Sequence, residues 1–252
     1  MNKIILLLMS VLLFSNCAGA DNSVERNNRF ICQEVVGFPY YDAVKGNVKS
    51  VSETDYDLVL EDGKYERYTS CLRHFEYSED GGIVAYKYEN PYENITMKFL
   101  YEDGKLVGID GGGRKLELDG EGNIVKYFPL YDVNPENYYL YRYDGDSRIV
   151  SRSNNGADLD LVYVTSFEYD GEGRLIKRTE SCGDGPSSYN KFEYNMEDLV
   201  WQIEVGEADG SGDVYEFIYE YDDWHNWVSR RKAFASEGDK YYVLTERKIE
   251  YY

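Results

Sequence analysis

The residues able to do chemistry are few in kind. The chain holds four Cys and two His against 47 Asp and Glu. Cys71 and His74 lie close enough in sequence to serve as nucleophile and base, or as two metal ligands. On one strand, however, residues three apart point to opposite faces. Zinc takes three or four Cys, His or carboxylate ligands, and this chain offers few. No G-x-S-x-G, H-E-x-x-H or Walker loop is present. A glycosidase needs two carboxylates at a set separation, and the spacing of the acids singles out no pair. Acidic turns such as Asp119-Gly120-Glu121 and Asp144-Gly145-Asp146 lack the ligand ladder of a calcium loop and read as hairpin turns. No catalytic residue, metal site or cofactor is therefore assigned. Trp224-His225-Asn226-Trp227 is the most unusual short run. Trp201 and Trp224, with His225 beside them, are candidate platforms for a sugar ring. In the competing reading Trp227 is a core residue and Trp224 alone is exposed.

The elements that must position these residues begin after residue 20. Lys3, the apolar run Ile4–Phe14 and the small residues Ala18-Gly19-Ala20 form a secretory signal peptide, too short to span a bilayer. Leu13-Phe14-Ser15-Asn16-Cys17 is similar to a bacterial lipoprotein box, with Asn16 where a small residue is usual. Cys17 is the expected lipid attachment site, and ordinary cleavage after Ala20 is the alternative. The product is exported to a bacterial cell envelope, as an outer-membrane-anchored lipoprotein or in the periplasm. No later apolar run is long enough for a transmembrane helix. An oxidising compartment permits one disulfide among Cys32, Cys71 and Cys182, with Cys32 to Cys71 as the candidate.

The net charge of −20 repels phosphate backbones and disfavours nucleic acid as a partner. With 42% apolar and 16% aromatic residues the chain is not of disordered composition. Tyrosine is the outlier, at 27 residues against 10 Phe and 3 Trp.

The chain repeats. Phe75-Glu76-Tyr77-Ser78-Glu79-Asp80-Gly81-Gly82-Ile83 and Phe167-Glu168-Tyr169-Asp170-Gly171-Glu172-Gly173-Arg174-Leu175 are two copies of one pattern. Its central position falls at Tyr77, Tyr101, Leu118, Tyr143, Tyr169, Tyr194 and Tyr221, mostly about 25 residues apart. Before each turn aromatics alternate, as at Tyr215, Phe217, Tyr219 and Tyr221, which places them on one sheet face. Asp-Gly and Glu-Gly clusters supply turn residues that accept positive φ. If His225 occupies such a glycine position, it too adopts positive φ. Two strands per repeat give on the order of 16 strands. Only residues 24 to 35 would form a short helix.

These features predict an all-β chain: an antiparallel meander of consecutive hairpins, forming an open, curled or incompletely closed barrel-like sheet with an aromatic inner face. A closed barrel of that many strands is too wide for its side chains to fill, so its interior is wet or plugged. Residues 21–44 form an N-terminal extension or cap, and residues 45–252 a single hairpin-repeat domain. The polar opposite parity lacks the apolar outer band of a membrane barrel.

Tyr169-Asp170, followed by Gly173-Arg174-Leu175, resembles the YD repeat of the RHS family. Tyr143-Asp144 with Arg148-Ile149 is similar, with Ser147 in place of Gly. Tyr221-Asp222 with Asn226-Trp227 resembles a terminal variant, with His225 where Gly is usual. The resemblance covers residues 45 to 252 and extends to small secreted bacterial lipoproteins without an assigned function. It implies hairpins in a continuous coiled sheet. The toxin-enclosing shell of large members does not transfer to so short a chain. The expected function is a non-enzymatic exported lipoprotein presenting a Tyr-rich sheet to an unknown protein or polysaccharide. A glycan-binding module is the alternative, and a glycoside hydrolase ranks third.

Overall fold

The computed structural model describes residues 23–36, 44–110, 116–128, 137–155, 162–183, 187–207, 209–235 and 241–252. The signal segment and Cys17 lie outside the described residues. A helix, α1 (Ser23–Phe30), runs into a π-helical turn (Ile31–Val36). Strands β1 (Val48–Glu61), β2 (Lys64–Tyr77), β3 (Ile83–Glu89), β4 (Asn94–Glu102) and β5 (Lys105–Asp110) follow. Next come β6 (Leu116–Leu118), β7 (Ile124–Tyr127), β8 (Tyr138–Tyr143), β9 (Ile149–Asn155), β10 (Tyr163–Tyr169) and β11 (Leu175–Cys182). The chain ends with β12 (Ser188–Tyr194), β13 (Val200–Gly206), β14 (Gly212–Tyr221), β15 (Trp227–Phe234) and β16 (Tyr241–Tyr251).

All sixteen strands form one antiparallel sheet, and β1 pairs with β16. The sheet is thus a nearly closed barrel. Its single unsealed seam lies between β5 and β6, which are neighbours in sequence. The incompletely closed meander expected from the repeats is the observed fold.

The repeat explains itself at the turn. In the Asp170 unit, the Gly173 N–H donates to the Asp170 carbonyl at 3.1 Å, and the Asp170 N–H donates to the Arg174 carbonyl at 3.0 Å. Asp170 Oδ1 accepts the N–H groups of Glu172 and Arg174 at 3.1 and 2.8 Å. Asp119, Asp144, Asn195 and Asp222 do the same for their own turns. A short acceptor at this position satisfies turn amides that the ladder cannot reach. The fourth residue of each turn is left-handed: Gly122, Gly173, Ser147, Asp198 and His225 have φ of +85°, +83°, +58°, +60° and +60°. The positive φ expected of His225 is observed.

Each return strand then carries a bulge. Tyr169 pairs with Leu175 but Glu168 with Lys177, leaving Ile176 extra; Trp201 is the extra residue of the next unit. The aromatic parity faces inward, where Phe75, Tyr86, Phe99, Tyr141, Phe167 and Phe192 are buried.

The wide interior is plugged. Phe30 meets the rings of Tyr127 and Tyr141 edge-on, with centroids 6.0 and 5.4 Å apart. Burying Phe30 and Ile31 contributes about 2–3 kcal/mol each. The polar face of α1 is spent on the barrel's turns: Asn28 Nδ2 donates to the Gly81 carbonyl at 2.8 Å, and Arg29 to the Gly173 carbonyl at 3.1 Å. The expected helix over residues 24 to 35 is present, and it sits inside the barrel at one rim.

The same helix spans the seam. Asn27 Nδ2 donates to the Gly104 carbonyl at 2.9 Å, on the β4–β5 turn. Its neighbour Arg26 donates to Asn123 Oδ1 at 3.2 Å, on the β6–β7 turn. A Cβ on Gly122 would lie 2.8 Å from Lys105 Cδ, so side-chain packing also crosses the gap there.

Candidate functional site

The bulges bring charge indoors. Past the bulges of β9, β11 and β15 the inward positions hold Arg152, Arg178, Arg230 and Lys232, opposite Tyr141, Phe167, Tyr219 and Phe217, whereas past those of β3, β5, β7 and β13 they hold the core residues Tyr86, Ile109, Tyr127 and Ile203. At the β1–β16 closure, Glu53 is 2% exposed and lies between two arginines. Arg73 Nε is 2.8 Å from Glu53 Oε2, and Arg247 Nε is 2.7 Å from Glu53 Oε1. Arg73 also holds Asp55 at 2.6 Å. Burial alone would raise the pKa of Glu53. Arg247, Arg73 and Arg230 outweigh it and bring the carboxyl down to about 2. Arg247 in turn lies 3.3 Å from the Trp227 ring centroid. A second buried pair joins plug to wall: Glu34 Oε2 accepts from Arg152 and from the Tyr141 hydroxyl, each at 3.0 Å.

The structure separates Cys71 from His74. Cys71 faces inward, its Sγ 3.3 Å from Asp55 Oδ2, whereas His74 faces outward with Nδ1 2.8 Å from Ser52 Oγ. Burial pushes the Cys71 thiol up to about 11, against the pull of Arg73. A thiol so held stays protonated near neutral pH and is a poor nucleophile. The disulfide allowed between Cys32 and Cys71 is not formed. Cys32 lies in the apolar core around the plug, while Cys71 sits in the wall among Asp55 and Arg73. Cys182 is not bridged either. Among the described residues no cluster of three or more metal-ligating side chains occurs.

The tryptophans divide as the competing reading had it. Trp227 is 2% exposed in the core, and Trp224 is 59% exposed. Trp224 leans on Tyr251, with ring centroids 5.7 Å apart. Trp201 is half-buried on its bulge in β13. The inner tyrosines are not displayed as an outer binding face, because their rings line the barrel interior.

Two crevices flank α1 at the plugged rim. One, of about 530 Å³, lies between α1 and the turns after β6, β8 and β10. The other, of about 310 Å³, lies between the plug and the turns after β10, β12 and β14, and His225 lines it. The sequence singled out His225 but not the plug residues opposite it. Asn27, Asn28 and Gln33 are polar, and each is buried.

Beyond the opposite rim the β1–β2 hairpin projects as a ribbon. Pairing of β1 with β16 ends at Asp57, and pairing of β2 with β3 begins at Leu72. Val59, Leu60, Tyr65 and Tyr68 are exposed on this ribbon. Outside, the barrel wall carries cross-strand pairs such as Lys191–Glu204 and Arg231–Glu220, with apolar side chains such as Leu100 and Ile218 exposed among them. No helix among the described residues is long and apolar enough to cross a membrane.

No family model matches the chain, and no curated protein matches it. Among solved structures, a porin-like protein from Bacteroides uniformis is similar, with a TM-score of 0.54 at 12% identity over 82% of this chain and 98% of that chain. A porin-like protein from Bacteroides vulgatus gives 0.41 at 13% identity over 81% and 98%. The TcdB2-TccC3-Cdc42 structure gives 0.37 at 11% identity, over 73% of this chain and 11% of that chain. The likeness to the B. uniformis protein shows a shared β-barrel fold.

Proposed function

We propose that this chain is an exported, non-enzymatic barrel of YD-type hairpin repeats that binds a protein partner through its β1–β2 ribbon. Lipidation at Cys17 tethers it in the cell envelope. The observation that carries the binding role is the ribbon itself. It leaves backbone edges without a neighbouring strand among the described residues, and it exposes Val59, Leu60, Tyr65 and Tyr68. An extended segment of a partner adds to such an edge by main-chain hydrogen bonds, with side chains supplying specificity.

A non-catalytic role is supported by how the carboxylates are used. A general acid needs a raised pKa. Asp119, Asp144, Asp170 and Asp222 are instead held below the usual range, because hydrogen bonds from the side chains of Asn123, Arg148, Arg174 and Tyr251, together with those from turn N–H groups, outweigh the effect of burial. The charged pairs on the outer wall support an aqueous setting for the barrel, since a lipid-facing wall needs an apolar band.

The test is a shortened ribbon in which Asn-Gly joins Asp57 directly to Tyr68, a register that suits a two-residue turn. Envelope extracts of the source bacterium are passed over the immobilised full mature chain and the shortened one. A protein held by the first and lost by the second, and then shown to bind the full chain directly when purified, supports the proposal. Identical capture by both contradicts it.

A further inference from the structure

We propose that the smaller crevice beside the plug binds a single neutral sugar ring. This site is separate from the ribbon and does not depend on it.

The first observation is an unanswered polar atom. Gln33 is 8% exposed, lines the crevice, and its Oε1 has no hydrogen-bond partner among the described residues. A buried amide oxygen without a donor costs about 1–3 kcal/mol, so a ligand O–H is favoured once the Gln33 amide, whose Oε1 is itself buried, turns to meet it.

The second is the state of the surrounding charges, which are already paired. Arg29 holds Glu25 at 2.9 Å, and Arg174 holds Asp170 and Asp198 at 2.7 and 2.8 Å. Arg247 holds Glu53 at 2.7 Å, and Lys45 and His225 approach Glu197 at 3.6 and 3.8 Å. With Glu172 also 3.6 Å from Arg174, each charged side chain among the described residues lining the crevice has an opposite charge within reach. An ionic ligand would have to break one of these pairs.

The third is shape and lining. Leu175, Leu199 and Tyr194 give the crevice an apolar side, and His225 and Asp198 stand at its mouth. A pyranose has an apolar C–H face and a rim of hydroxyls, which matches one apolar wall with convergent polar groups. A volume of about 310 Å³ admits one such ring.

Saturation-transfer NMR on the full mature chain tests this. The probes are the methyl glycosides of glucose, galactose and mannose, N-acetylglucosamine, and glucuronate as the charged control. At least one neutral sugar should bind saturably with a millimolar Kd, as expected for a ligand of about a dozen heavy atoms. Gln33→Leu should weaken it at least tenfold, because the hydroxyl then faces a group that cannot accept. Glu172→Trp, at an exposed turn position bordering the crevice, should do the same by obstruction. If Gln33→Leu fails to fold, Glu172→Trp decides alone. The proposal is overturned by any of three results: no saturable binding by a neutral sugar, unchanged affinity in a folded variant, or tighter binding of glucuronate than of every neutral probe.

Discussion

The hydroxyl of Tyr169 donates to the carbonyl of Ile149, 2.8 Å away and 20 residues earlier. Ile149 opens the return strand of one repeat, and Tyr169 closes the outgoing strand of the next. The same bond joins Tyr101 to Ile83, Tyr143 to Ile124, and Tyr194 to Leu175, at 2.6, 2.8 and 2.8 Å. In the following repeat a hydroxyl two residues earlier, that of Tyr219 rather than of Tyr221, donates to the Val200 carbonyl. Each bulge leaves a carbonyl near the start of the return strand, and the hydroxyl of the following repeat answers it. This is a physical reason for tyrosine over phenylalanine in these repeats: the ring supplies core area and the hydroxyl staples neighbouring hairpins. Arginine adds to the staple, for Arg148 lies over the Tyr169 ring and Arg174 over the Tyr194 ring, at 5.1 and 5.0 Å.

The left-handed turn positions give a stability prediction. Ser147, Asp198 and His225 adopt φ near +60° without being glycine. Glycine relieves that strain, at the cost of extra freedom in the unfolded chain. Ser147→Gly should stabilise the protein by about 0.5–1 kcal/mol, and Ser147→Val should destabilise it by more than that. Chemical denaturation of the three proteins checks the order. Equal midpoints would mean that the turn is not left-handed in solution.

The buried cluster at the closure sets an acid limit. The Glu53 carboxyl has a pKa of about 2 in the folded barrel, below the ordinary 4.5. Its stabilisation is therefore complete above about pH 4.5 and is lost as pH falls from there toward 2. The shift corresponds to on the order of 3 kcal/mol. Glu53→Gln leaves Arg73 and Arg247 without this carboxylate and should cost about 3–5 kcal/mol near neutral pH. The gap between wild type and Glu53→Gln in urea midpoint should narrow as the solution is acidified. A gap that stays constant from pH 7 to 2.5 would show that the cluster is not ionised as described.

The seam predicts where the barrel opens first. Short edge strands β5 and β6 have no ladder between them, and the plug side chains Arg26 and Asn27 span the gap. Hydrogen exchange should be faster over residues 105–110 and 116–118 than over the β1–β16 pair. Replacing Arg26 and Asn27 together by Ala should raise exchange at the seam several-fold and leave β1 and β16 unchanged. Uniform exchange around the barrel, before and after the substitutions, would place the weak point elsewhere.

Much of this architecture is legible in the residues. Alternating aromatics ahead of Asp-Gly turns define the hairpins, and the glycine-equivalent position of His225 foretells its φ. The closure is not legible. Every strand interface carries the same pattern, so nothing in the repeat says that β1 meets β16 while β5 and β6 remain apart. The indoor charge is hidden for a different reason. A bulge shifts parity by one residue, so Arg152 and Arg230 read as outward by simple alternation and in fact face Tyr141 and Tyr219. The crevice is hidden too, because Gln33 gains its meaning only once the plug is inside the barrel.

The most direct test of the stapled barrel is the joint replacement of Tyr101, Tyr143, Tyr169 and Tyr194 by Phe. The rings remain and only the four hydroxyls are lost, so each bond should cost about 1 kcal/mol and the set about 4 kcal/mol. Urea unfolding of the mature chain measures this. The account predicts a loss of that size with the same β-sheet circular dichroism as wild type. A quadruple variant as stable as wild type would contradict the account, because the hydroxyls would then contribute nothing to holding neighbouring repeats together.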